Sequence, residues 1–319
     1  LKENRNVVGL DNLNSYYDTR LKERRLQNIK SIKTNSKWKF LKLDLENESS
    51  LNDIFKEYQF STVVHLAAQA GVRYSLENPN AYVKSNLIGF SNVIECCRKN
   101  SIKNFIYASS SSIYGGNTKL PFSENDPVNH PVSLYAATKR SNELVAHSYS
   151  HLYGIPCTGL RLFTVYGPWG RPDMAPMIFT KAISAKKPIT IFNEGEMYRD
   201  FTFIDDVTEI IFRLTKKPAI VNNKFDTDNP NPSTSWAPNM IFNVGNSKQI
   251  NLMRFINLLE KELGIVAIKN FEKMQKGDVK STSSETHAIE SWIGFKPNTP
   301  IEWGIKKFIN WYKEFYSQS

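Results

Sequence analysis

Short apolar runs alternate with longer helix-patterned stretches through the first two thirds of this chain, and that rhythm limits the folds open to it. Val7 to Asp11, Phe40 to Leu45, Thr62 to Ala67, Asn104 to Ser109, Thr158 to Phe163 and Ile189 to Phe192 each read as a buried strand. Leu51 to Tyr58, Asn80 to Arg98, Ser133 to Tyr153 and Asp205 to Lys216 carry helical spacing; Pro79 opens the second and Gly154 closes the third. Each crossover is long enough to bring the chain back in the same direction, so the strands form a parallel sheet. The expected fold is α/β, a Rossmann-like doubly wound parallel sheet followed by a smaller C-terminal α/β lobe. After about residue 170 the rhythm breaks. Asn222 to Asn239, rich in Pro, Asn, Asp and Ser, reads as a long surface loop, and Ile301 to Tyr316 as an amphipathic helix packing through Trp303, Phe308, Trp311 and Phe315.

Composition removes several classes. With 319 residues, 40% of them hydrophobic and 23% charged, the chain can bury a sizeable core, and no stretch approaches the roughly 18 apolar residues of a membrane span. Cys96, Cys97 and Cys157 form neither a disulfide framework nor a zinc pattern, which points to a reducing, cytoplasmic setting and to no metal. The net charge of +10 favours an anionic ligand, but the basic residues form no run and no nucleic-acid motif accompanies them.

In a dinucleotide-binding fold, an acid ending the second strand accepts the adenosine ribose hydroxyls about 20 residues after a glycine-rich turn. Asp11 ends its strand with only ten residues before it. The expectation is an N-terminal truncation, with the first strand and its glycine-rich turn missing and Leu1 to Asn6 as the tail of the helix that follows them. A plain turn aspartate is the alternative for Asp11. On this reading residues 1–170 are the NAD-binding domain, and 171–319 mainly the substrate lobe with some segments returning to the first domain.

The segment richest in chemistry is Ala108-Ser109-Ser110-Ser111-Ser112-Ile113-Tyr114-Gly115, followed by Tyr135-Ala136-Ala137-Thr138-Lys139. Four residues apart on a helix, Tyr135 and Lys139 share a face, so the ammonium favours the phenolate and draws the tyrosine pKa down from about 10. A tyrosine so tuned acts as a general base. The serine run follows a strand, at the sheet edge where open α/β folds place ligands, and its hydroxyls can bond a substrate oxygen. His65, in a buried strand, reads as a core histidine rather than a metal ligand.

These residues carry a resemblance. The chain resembles the extended short-chain dehydrogenase/reductase family, and within it the UDP-glucuronate 4-epimerases, along its whole length. The motifs are Gly9-Leu10-Asp11-Asn12-Leu13-Asn14, His65 to Arg73, the serine run with Tyr114-Gly115, Tyr135 with Lys139, Arg161 to Met174, Arg199 to Asp206 and Met274 to Val279. Lys276 departs from the proline expected before Gly277-Asp278, and the glycine-rich turn is missing. The resemblance implies NAD as cofactor and a UDP-sugar as substrate, with Ser110, Tyr135 and Lys139 catalytic. It implies that Asp11, Asn12, Asp44, Leu45, Leu66, Ala67, Ala68 and Asn86 join Tyr135 and Lys139 around NAD. Arg73, Ser111, Ser112, Thr164, Arg171, Arg199, Gln275 and Asp278 meet the substrate, Thr164 and Arg171 at the sugar carboxylate. Arg73 and Arg199 have structural ion pairs as their alternative, and Arg171 a solvated loop position.

A carboxylate at Asp11 repels a ribose 2′-phosphate, which favours NAD over NADP. The reaction implied is inversion of C4 through a 4-keto sugar, giving UDP-galacturonate for cell-surface polysaccharide supply, in a homodimer paired through the helices of Asn80 to Arg98 and Ser133 to Tyr153. Dehydration is disfavoured, because Ser111-Ser112 stands where dehydratases place an Asp-Glu pair. A decarboxylase on the same substrate, a UDP-sugar 4-epimerase of other specificity and a non-catalytic nucleotide-sugar-binding fragment remain as alternatives.

Overall fold

The computed structural model describes residues 1–274 and 278–317. Its strands are β1 (Val7–Asp11), β2 (Trp38–Lys42), β3 (Thr62–His65), β4 (Asn104–Ser110), β5 (Cys157–Leu162), β6 (Thr164–Tyr166), β7 (Ile189–Phe192), β8 (Tyr198–Phe203), β9 (Asn239–Val244), β10 (Gln249–Asn251) and β11 (Lys269–Glu272). A four-stranded sheet runs in the order β3-β4-β5-β9, all parallel, and β1 pairs with β2, also parallel, as a separate ladder. The doubly wound pattern follows from β4, buried at every residue. Phe105 and Tyr107 point into one core with Leu51, Phe55 and Phe90, while Ile106 between them joins Leu160, Val207 and Phe242 on the other face. A strand apolar on both faces needs helices on both faces.

Local chemistry sets the helix ends. Asn47 accepts from the Ser50 amide to start Glu48–Tyr58, Ser133 accepts from the Ala136 amide to start Leu134–Tyr153, and Gly154 at φ 67° closes the latter. The stretch expected as one helix over 80–98 is Pro79–Tyr82, a π-helical turn Val83–Ile88, and Gly89–Lys99. Leu1 to Asn6, expected as a helix tail, holds a turn in which the Asn4 amide donates to the Leu1 carbonyl.

Two expectations about the second half need correction. Ile189–Phe192 is a strand but lies outside the main sheet, pairing parallel with β11. The strand beside β5 is instead β9, which follows the Pro-rich loop and returns the chain to the first sheet. In the terminal helix, Ile301–Ser317, Phe308 and Trp311 are buried as expected, and Trp303, though 45% exposed, packs edge-on against the buried Phe203 at 5.3 Å. The second lobe adds a three-stranded sheet, β10-β8-β6, over a core where the Phe201 and Phe255 rings stack 4.4 Å apart.

Three segments distant in sequence meet at Asp200, fully buried on β8. Its carboxylate accepts from the amides of Asn246 (2.7 Å), Ser247 (3.1 Å) and Ser284 (2.9 Å) and from the Ser284 hydroxyl (2.5 Å). Asp200→Ala strands these donors, and we expect it to lower the unfolding free energy by about 3 kcal/mol or more. Urea denaturation checks this; a loss under about 1 kcal/mol would mean that the junction does not depend on this carboxylate.

Candidate active site

β4 ends at Ser110, whose Oγ accepts from the Ser112 amide at 3.1 Å and starts the 3-10 turn Ser111–Tyr114. Gly115 leaves that turn at φ 50°, and a Cβ there would lie 2.1 Å from the His130 carbonyl oxygen, so only glycine fits. The Leu134–Tyr153 helix then brings Tyr135 near enough to Ser110 for the serine hydroxyl to act on the phenol. Burial raises the Tyr135 pKa, while the Ser110 hydroxyl and the Arg171 charge pull it back down. The Tyr135 pKa thus rises where the spacing led us to expect a fall, and Lys139, buried on the same helix, turns to β4. Its ammonium donates to the Ala108 carbonyl of β4 at 2.8 Å, and burial pushes its pKa down to about 8.

Beneath them lies a buried ionic pair. Arg161 on β5 donates through Nε (3.1 Å) and Nη2 (3.2 Å) to the two oxygens of Glu143, which is one turn beyond Lys139 and also accepts from Ser109 Oγ at 2.7 Å. Ser109 is thus structural, while Ser110, Ser111 and Ser112 stand at the sheet edge.

The expected cofactor residues gather at the ends of β1 and β3. Asp11 is exposed and accepts from the Leu13 amide at 2.6 Å; Asn12 donates to Asp44 at 2.9 Å. Asn12 and Asp44 line a cavity of about 420 Å³ with Gln69 and Lys84. Leu66 and Ala67 are exposed and Ala68 half-buried, whereas Leu45 packs on the core beside Phe90. Asn86 is a brace: its amide accepts from the Gln69 N–H at 2.8 Å and donates to the Gln69 carbonyl and Thr138 Oγ1. His65 is buried against Phe90, its pKa pushed down to about 3 by burial and the Lys139 charge, so it stays neutral.

The expected substrate residues form two groups. Arg171, half-buried, is close enough to Tyr135 for their charges to interact, and it donates to the Ala70 carbonyl at 3.1 Å. Thr164 opens β6 and is half-buried. In the second group Arg73 pairs with Asp278 at 3.3 Å, and Arg199 feels the Asp278 charge while bonding the Tyr198 and Lys280 carbonyls. Gln275 lies outside the described residues.

Sequence reasoning missed Lys22, Tyr16 and Asp173. Lys22 is buried, donates to Asn14 at 3.0 Å and lies 3.7 Å from Asp11. Asp173 takes both Nε and Nη2 of Arg171, and Tyr16 donates to its Oδ2 at 3.2 Å. Asp173 stands two residues beyond Arg171 in the quoted motif, which was the available signal; nothing local marks Lys22 or Tyr16.

The profile of the NAD dependent epimerase/dehydratase family matches residues 1–226. This chain belongs to that family. It is 50% identical to protein CapI of Staphylococcus aureus over 318 residues, covering 100% of this chain and 94% of that protein. It is 44% identical to the probable UDP-glucuronate 4-epimerase of Rhizobium meliloti, covering 98% and 91%. The structure of UDP-glucuronic acid 4-epimerase from Bacillus cereus, in complex with UDP-glucuronic acid and NAD, superposes with a TM-score of 0.84 at 31% identity, covering 98% of this chain and 92% of that one. Family membership accounts for the parallel α/β sheet and for the tyrosine–lysine helix beside the serine turn. Among the described residues, no helix is long and apolar enough to cross a membrane.

The depressed Lys139 pKa has a stability consequence. The folded chain releases this proton near pH 8 and an unfolded lysine near 10.5, so above pH 8 the unfolded state binds more protons and stability rises with pH. Wild type should therefore gain on Lys139→Met between pH 8 and 10, by up to about 3 kcal/mol. Denaturation series at several pH values test this; a pH-independent difference would place the Lys139 pKa at its ordinary value.

Proposed function

We propose that the chain is a UDP-glucuronate 4-epimerase, converting UDP-glucuronate to UDP-galacturonate with NAD as its resident cofactor. The observation that carries the reading is the placement of Arg171, a guanidinium suited to a carboxylate, within electrostatic reach of the general base Tyr135. The residues fit the adenosine half of the cofactor: an exposed acid at the end of β1 suits ribose hydroxyls, and the cavity beside Asn12 and Asp44 has room for a planar base. Asp11, Asn12, Asp44 and the exposed Leu66–Ala67 edge would hold the adenosine half, and Lys139 the nicotinamide ribose. When bound, NAD supplies reversible hydride transfer.

The C4 hydrogen of the sugar is not acidic, so inversion runs through a ketone at C4, which makes the centre planar. Tyr135 takes the proton of the 4-hydroxyl and later returns it to the opposite configuration; Ser110 holds the same oxygen. Ser111 and Ser112 flank that position. Arg73, Arg199 and Asp278, grouped by their charges, would anchor the uridine diphosphate end while the keto sugar turns over.

A 4-keto uronic acid is a β-keto acid and can lose carbon dioxide when its carboxylate aligns with the ketone. Arg171 and Thr164 restrain that rotation. The exposed side chains Val83, Ile88, Leu144 and Leu152 support pairing of two copies through the helices that carry them.

Tyr135→Phe should cut turnover at least about a hundredfold with substrate binding nearly intact. Retention of most turnover would assign the base elsewhere. Arg171→Ala removes the carboxylate partner and leaves Asp173 to repel the substrate. It should cost about 2 to 5 kcal/mol on UDP-glucuronate and far less on UDP-glucose, with residual turnover leaking to the pentose. NMR product analysis on both sugars decides: equal losses would make Arg171 a scaffold residue, and a wild-type preference for UDP-glucose would overturn the substrate assignment.

A further inference from the structure

The guanidinium proposed to receive the sugar carboxylate already holds one. Arg171 presents Nε to Asp173 Oδ1 at 3.0 Å and Nη2 to Asp173 Oδ2, the two-pronged arrangement that guanidinium groups make with a bound carboxylate. The pair is about three-quarters buried, with 28% and 24% of the two side chains exposed, so each charge is partly stripped of water and depends on the other.

Asp173 is not held by Arg171 alone. Tyr16 donates its hydroxyl to Asp173 Oδ2, and burial together with the Asp173 charge pushes the tyrosine pKa up to about 12, so it stays a donor at any ordinary pH. The Tyr16 ring packs 4.7 Å from Tyr74, Tyr74 6.3 Å from Tyr82, and Tyr82 6.1 Å from the base Tyr135. Tyr82 is anchored by donating to the Gly71 carbonyl at 2.5 Å. A packed aromatic wall thus runs from the base to the Asp173 carboxylate. Arg171 itself has a second anchor at the Ala70 carbonyl, which does not require Asp173.

We propose that Asp173 is a specificity-determining residue: an internal carboxylate that fills the Arg171 fork until the carboxylate of a uronic acid sugar takes its place, with Tyr16 retaining Asp173 after the exchange. The proposal rests on the epimerase reading above for the identity of the incoming carboxylate. Two carboxylates compete for one guanidinium edge, so the affinity measured for the acid sugar is its intrinsic affinity reduced by the fraction of protein in which Arg171 is free. A neutral sugar with a hydroxymethyl group in that position makes no such exchange and is insensitive to it. With Asp173 in place, Arg171 is never an unpaired, partly buried cation between turnovers.

The test is calorimetric binding of UDP-glucuronate and of UDP-glucose to the NAD-loaded chain as wild type, Asp173→Asn and Asp173→Ala. Asparagine keeps an acceptor for Arg171 without the charge; alanine keeps neither, and Ala70 still anchors the guanidinium. Release of the competitor should tighten UDP-glucuronate by about fivefold or more in both variants, with UDP-glucose moving less than about twofold. If Asp173 only orients Arg171, alanine weakens UDP-glucuronate and asparagine restores it, which overturns the proposal. Equal shifts for both sugars, no shift, or no detectable UDP-glucuronate binding in any form also overturn it. Turnover is scored separately: tighter binding in the variants without epimerisation by wild type would sink the epimerase reading and leave the exchange standing.

Discussion

The buried pair of Glu143 and Arg161 is the interaction on which the rest of the site depends. Arg161 is fully buried and Glu143 nearly so, and their bidentate contact ties the Leu134–Tyr153 helix to β5. Ser109 Oγ bonds the same carboxylate from β4, and Arg161 Nη1 reaches the Tyr114 hydroxyl at 3.0 Å, which in turn donates to Asn243 of β9 at 2.7 Å. Removing two charges from water is costly, and a hydrophobic pair of equal volume would often serve stability as well. Direction is what the ionic pair adds. It sets the rotation and height of the helix that carries Tyr135 and Lys139 relative to the strand end that carries Ser110, and a general base must lie within hydrogen-bond reach of its proton.

That rigidity is offset by a local cost. Lys139 is buried with only the Ala108 carbonyl as its hydrogen-bond partner among the described residues, and the Tyr135 phenol is likewise raised by burial. Burial disfavours the charged form of both groups, and both sit where a hydrophobic residue would fold more comfortably. Strain of this kind persists only where surrounding structure over-determines it. Here the surroundings are the capped helix start at Ser133, the Asn86 brace on Gln69 and Thr138, and the Glu143 network.

Much of this was legible in the sequence. The α/β alternation could be read because buried parallel strands are apolar runs of a characteristic length, and Tyr135 with Lys139 could be read because a helix converts a spacing of four into adjacency. The partners were less accessible. Lys139 finds its bond 31 residues away, and Tyr16 meets Asp173 across 157. No periodicity encodes such a contact, since it depends on how two loops are brought together after the sheet has formed. For the same reason β9 went unread directly after a Pro-rich segment: its pairing with β5 is set by tertiary contact, while the segment before it supplies strong turn chemistry. The expected fall of the Tyr135 pKa is reversed by burial, which a spacing of four on a helix face does not report.

The two arginine–aspartate pairs of the site differ in a way that divides their labour. Arg73 and Asp278 meet at 3.3 Å with more than half of the arginine exposed, and the guanidinium lies over the Phe192 ring at 4.9 Å. Exposed pairs of this kind contribute about 0 to 1 kcal/mol, so a diphosphate can recruit Arg73 at little cost and with little discrimination. Arg171 and Asp173 are more deeply set, and their exchange with a ligand carboxylate is correspondingly more demanding. On the proposed reading, anchoring falls to the exposed pair, where every UDP-sugar is alike, and discrimination to the sheltered pair, where the sugars differ in charge. A nucleotide held at one end and a sugar substituent tested at the other would leave the pyranose between them free to turn over at C4 while its identity is still being read.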